Sequence, residues 1–126
     1  MSDVTRGYQS GMETTTVVIA NGGTLSAASD LMGKTLVGVI TPAAWTAGAI
    51  SFDVNADSGS TFYPLYNQSG EVSIASADIA TAAARWFSVE PSDFAGVREL
   101  KVRSGLNGAT VAQGAERTLT LVVRSL

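Results

Sequence analysis

The residues that could carry chemistry are few. Asp57-Ser58-Gly59 matches the short motif around an aspartic-protease carboxylate, a chemistry that needs two such acids sharing one proton, as a symmetric homodimer would supply. That aspartate should follow a hydrophobic strand into a buried loop. Its flanks here, Asn55-Ala56 and Ser60-Thr61, instead have the composition of an exposed hairpin turn. Gly33-Lys34-Thr35 matches the end of a phosphate-binding loop, but Ala28 stands where the loop needs its first glycine, and an apolar β run follows where the motif needs a helix. Asn67-Gln68-Ser69 is a glycosylation sequon, meaningful only in a secreted eukaryotic protein. Asp53, Asp57, Glu71 and Asp78 would flank a glycosidic bond or chelate calcium if the fold gathered them. Each falls on an expected strand exterior or turn, where a solvated carboxylate is the plainer expectation.

The absences narrow the chemistry further. The chain has no histidine and no cysteine, so it lacks the usual neutral-pH base, the thiolate nucleophile, disulfides and the common zinc ligands. We therefore expect no catalytic residues, no cofactor site and no metal site, and read the protein as one that binds other macromolecules. The net charge of −3 argues against nucleic acid as the partner, because phosphate contacts need clustered lysine and arginine. Residues 1–80 hold Asp3, Glu13, Asp30, Asp53, Asp57, Glu71 and Asp78 against Arg6 and Lys34, whereas residues 81–126 hold six bases against four acids. That asymmetry is either ordinary surface charge or a head-to-tail complement between subunits. The opening residues lack the pattern of a secretory signal and no apolar run approaches membrane-spanning length, so a soluble protein made in the cytoplasm, without a membrane partner, is expected.

The elements that must position these residues are β-strands. The 126-residue chain suits one core. Residues 1–13 show no periodic apolar pattern and are expected to form an extended arm, with the folded domain spanning 14–126. Thr14 to Ala20 is dense in β-branched residues and ends at Asn21-Gly22-Gly23; Thr35 to Ile40 is a second run, stopped near Pro42. Ile50, Phe52 and Val54 alternate with Ser51, Asp53 and Asn55, which assigns one buried and one wet face. Thr61 to Tyr66 is expected to return as the second arm of a hairpin, followed by strands at Glu71–Ala75 and Arg85–Val89. Helical turns are expected within Ser76–Ala84 and at Pro91-Ser92-Asp93-Phe94. Leu100 and Val102 share a face opposite Glu99, Lys101 and Arg103, and Leu119, Leu121 and Val123 define the last strand. About eight strands fit an all-β, antiparallel, jelly-roll-like sandwich. Phe52 and Phe87 are expected in the core, while Trp45, Tyr63, Tyr66 and Trp86 either complete it or stay exposed to stack on sugars or anchor an interface.

From Thr35 onward the chain resembles small virion structural proteins of tailed bacteriophages and prophages that decorate or cement the capsid. The resemblance lies in Leu36-Val37-Gly38-Val39-Ile40-Thr41-Pro42 with Trp45 and Thr46, in Ile50-Ser51-Phe52 with Asp57 through Thr61, and in Tyr63-Pro64-Leu65-Tyr66. It continues through Phe94-Ala95-Gly96-Val97, Leu100-Lys101-Val102-Arg103-Ser104-Gly105 and Arg117-Thr118-Leu119-Thr120-Leu121. It implies a jelly-roll protein on the outer face of an icosahedral head, contacting the major capsid protein and copies of itself, with a trimer favoured and no enzymatic role. Arg6 and Tyr8 on the arm, and the outer row Glu99, Lys101 and Arg103, are the residues suited to such contacts. The alternative is a carbohydrate-binding or adhesive module, as in tail fibres or secreted proteins, built on exposed tryptophan or tyrosine.

Overall fold

The structure, a computed structural model, describes residues 11–57 and 59–125. Among the described residues, twelve strands run in chain order: β1 (Met12–Ile19), β2 (Ser29–Asp30), β3 (Thr35–Ile40), β4 (Ile50–Asn55), β5 (Tyr63–Pro64), β6 (Tyr66–Asn67), β7 (Gly70–Glu71), β8 (Ser73–Ile74), β9 (Trp86–Ser88), β10 (Glu99–Leu106), β11 (Ala109–Thr110) and β12 (Arg117–Arg124). The first sheet has the order β1-β12-β3-β9; the second has β10 and β4 at its centre, with β2 and β11 along the far side of β10 and β5 and β8 along the far side of β4. All pairings are antiparallel. This is the expected antiparallel sandwich. No helix of the described residues is long and apolar enough to cross a membrane.

Alternation builds the core. Leu119, Leu121 and Val123 of β12 and Leu36 and Val39 of β3 face Ile50 and Phe52 of β4 and Leu100 and Val102 of β10, all buried. Phe94, just past the 3-10 turn Pro91–Asp93, meets Phe52 edge-on with ring centroids 5.2 Å apart at 89°. The structure thus makes Phe94 a central core residue, where the sequence had marked only a turn. Trp45 is buried as well, its indole N–H donating to the Gly48 carbonyl at 3.0 Å. Phe87 packs against the cluster from its edge.

Two expectations shift. Strand β1 begins at Met12, so Met12 and Glu13, placed on the arm by sequence, pair with Arg124 and Val123. The rest of the expected arm, with Arg6 and Tyr8, lies outside the described residues. The return strand expected over Thr61 to Tyr66 is broken up: Tyr63 and Pro64 pair with β4, whereas Tyr66 and Asn67 turn away into a separate small hairpin with β7. The last bond to β4 is the Leu65 N–H donating to the Phe52 carbonyl at 3.0 Å, after which the chain turns away; Pro64, opposite Asp53, has its nitrogen on the free edge.

Candidate protein interface

The outer face of the second sheet carries Glu99, Lys101 and Arg103, set opposite Asn55, Asp53 and Ser51 respectively. The expected free row of charges is a satisfied network. Arg103 is only 6 % exposed. Its guanidinium pairs with Asp53 and with Glu71 (3.5 Å), and donates to the Ser51 hydroxyl at 3.1 Å. Ser51 in turn donates to the Gly105 carbonyl at 2.7 Å. Arg103 therefore locks β10 to β4 and to the β6–β7 hairpin, and its place in an outward interface is withdrawn. Burial follows from geometry: the hairpin folds a second carboxylate over the sheet face, and a paired guanidinium tolerates that site where a free one would not.

The neighbours are engaged too. Lys101 Nζ sits 4.2 Å from the centroid of the Phe62 ring, a cation–π contact. Glu99 accepts from the Asn55 side-chain amide at 2.9 Å, and its backbone N–H donates to Asn55 Oδ1 at 3.0 Å.

The carboxylates considered for catalysis or calcium separate into two groups. Asp53 and Glu71 come together, but on Arg103, with side chains 17 % and 13 % exposed, so they are not the solvated pair expected. Glu71 also accepts the Asn107 backbone N–H at 2.9 Å. Asp57 stays exposed and accepts the Gly59 N–H at 3.0 Å, the turn geometry its flanks suggested. Asp78 lies in an exposed 3-10 turn. No cluster of three or more potential metal ligands exists among the described residues. The Gly33-Lys34-Thr35 segment is used structurally: Gly33 has φ +78°, Lys34 pairs with Glu13 at 2.8 Å, and the Thr35 hydroxyl donates to the Pro91 carbonyl at 2.7 Å. Asn67 closes its own turn by accepting the Ser69 N–H at 2.7 Å.

The titration of Asp30 is displaced downward. The Met32 backbone N–H, 2.7 Å from Oδ1, holds its carboxyl below the ordinary 3.8; desolvation opposes this shift, and the Arg98 guanidinium adds to it. Asp30 shapes the turn into β3.

The outer face of the first sheet is different in kind. Trp86 faces outward from β9 and remains 58 % exposed, and Met12 and Val18 of β1 are 41 % and 42 % exposed. Met12, Glu13, Thr14, Trp86 and Val122 line one shallow groove. Tyr63 and Tyr66 stand exposed on the second sheet's side of the molecule. The sequence marked Trp86, Tyr63 and Tyr66 as possible surface aromatics. It gave no sign of Met12, whose role depends on β1 starting earlier than its β-branched run.

No protein-family model matches the chain, and no curated protein matches it. Among solved structures, the chain is similar to the SPBc2 prophage-derived protein YomS, at 15 % identity and a TM-score of 0.50, over 90 % of this chain and 95 % of that one. It is less similar to a chain from Bacillus endospore appendages, described as a family of disulfide-linked pili, at 10 % identity and a TM-score of 0.37 over 92 % of this chain and 90 % of that one. Such identities bear on fold alone.

Proposed function

We propose that this chain is a virion structural protein that decorates or cements the outer surface of a bacteriophage capsid through protein–protein contacts. The observation that carries the reading is the likeness in fold to a prophage-derived protein along nearly the whole of both chains. The surface chemistry is compatible with it. The polar outer face is internally paired, which makes a rigid body, while Trp86 and Met12 offer exposed apolar area for a contact. The partners under this reading are the major capsid protein and further copies of this chain.

Co-sedimentation tests it: purified protein is mixed with capsids that lack it. Saturable binding supports the reading, and a Trp86→Ala variant that folds but binds at least tenfold more weakly places the contact on the first sheet. Absence of any association with the shells would overturn it. A second reading, a carbohydrate-binding or adhesive module, draws on the exposure of Trp86, whose flat ring suits stacking on a sugar. Trp45, being buried, is removed from that reading. Glycan-array binding abolished by Trp86→Ala would favour it over the capsid contact.

A further inference from the structure

Among the described residues, strand β1 is the terminal strand of the first sheet, paired on one side only, with β12. Its register with β12 is unbroken over all eight residues, Met12 to Ile19. An exposed strand edge is a template for another strand, and proteins usually blunt it with lysine, proline, a bulge or brevity. The other outer strands show such devices: β9 has three residues, β2, β8 and β11 two each, and β5 contains Pro64. The β1 sequence Met-Glu-Thr-Thr-Thr-Val-Val-Ile contains neither lysine nor proline, and six of its residues have good β propensity.

We infer that β1 pairs antiparallel with β1 of a second copy of this chain, joining the two first sheets across a two-fold axis that passes through Thr15. Strand geometry selects the register. Residues directly opposite in an antiparallel pair point to the same side of the sheet, so the axis must pass through a residue. With the axis on Thr15, Met12 lies opposite Val18 of the other copy, Thr14 opposite Thr16, and Glu13 opposite Val17. Met12 and Val18 are the two half-exposed apolar residues of this strand, at 41 % and 42 %, and this register alone brings them together. An axis on Thr16 sets Val18 against Thr14, and one on Thr14 sets Met12 against Thr16. Each Val18 then also reaches the rim of the groove that Met12 forms with Trp86 and Val122. The contact is isologous, each copy using the same patch, and it does not depend on the capsid reading.

The chain has no cysteine, so a single introduced thiol reports the axis cleanly. Opposed Cα atoms in an antiparallel pair stand about 4.5–5.5 Å apart, within disulfide range. Thr15→Cys under mild oxidation is expected to yield covalent dimers, Thr16→Cys alone is expected to yield none, and the wild-type chain is expected at twice its 13.0 kDa mass by light scattering. Val18→Lys, on an exposed face where the fold does not need valine, should weaken the dimer by about tenfold or more. A wild-type mass of one chain at high micromolar concentration, or an oligomer in which Thr15→Cys does not crosslink, would overturn the proposal.

Discussion

The indole of Trp86 lies across Gly38: a Cβ built on that glycine would stand 2.6 Å from the ring nitrogen and 3.1 Å from Cε2. Gly38 pairs with Ser88 and Ile40 with Trp86, so the ring slants over its neighbour's backbone on the outer face of the first sheet. Only a residue without a side chain allows this approach. Gly38→Ala is therefore expected to displace the Trp86 ring while leaving the strands paired, at a cost of about 1–3 kcal/mol. The chain has two tryptophans, so the two indole N–H resonances in an NMR spectrum report it: Trp86 should move and Trp45 should not.

Arg103 is held by Asp53, Glu71 and Ser51 with its side chain 8 % exposed. Arg103→Ala leaves two mostly buried carboxylates facing each other without a cation and is expected to destabilise the fold by about 3 kcal/mol. Adding Asp53→Asn and Glu71→Gln to that variant should recover much of the loss, because the stranded charges are gone. Urea unfolding of the two variants decides it; equal midpoints for Arg103→Ala and wild type would show that the network contributes nothing.

Met32 and Gly33 both have positive φ, 56° and 78°, in a turn closed by the Lys34 N–H donating to the Leu31 carbonyl at 3.0 Å. Two successive positive φ angles define a type I′ turn, which favours asparagine followed by glycine. Met32 is 73 % exposed, so little packing opposes its conformational strain. Met32→Asn is expected to raise stability by about 1 kcal/mol, seen as a higher thermal midpoint; a lower midpoint would mean that the methionine is packed against something.

The same turn sets a pH dependence. The carboxyl of Asp30 is held below its ordinary 3.8, first by the Met32 N–H and then by Arg98. A depressed folded-state value means that the carboxylate's contribution is present in full above pH 3.8 and is lost as pH falls through the lower folded value. Wild type should therefore lose more stability than Asp30→Asn on acidification from pH 5 to below pH 3. Parallel acid titrations of the two proteins would refute this.

Legibility from sequence followed the range of the interaction. The alternation of Ile50, Phe52 and Val54, the pair Leu100 and Val102, and the set Leu119, Leu121 and Val123 mark strands because a two-residue period is local, and the ladders confirm them. The turn at Asp57 was equally legible, since an Asx side chain closing on the amide two residues on is a local bond. Arg103 was misread because alternation separates the two faces of a strand without revealing what covers the outer one. Its cover, Glu71, is 32 residues away. The two tryptophans show the same limit: nothing local distinguishes Trp45, enclosed and bonded to Gly48, from Trp86, laid open over Gly38.

The amino-acid sequence by itself determined the class of molecule: periodicity and turn residues demanded antiparallel strands, and the absence of histidine and cysteine removed whole branches of chemistry. Tertiary structure alone decided which surfaces remain available. It drew Asp53, Glu71 and Arg103 into one closed network, placed β1 at an edge with Met12 and Val18 exposed, and left Trp86 on the outer face of the first sheet. The division has a physical origin, because strand formation depends on neighbours along the chain, whereas exposure depends on what a distant segment happens to cover.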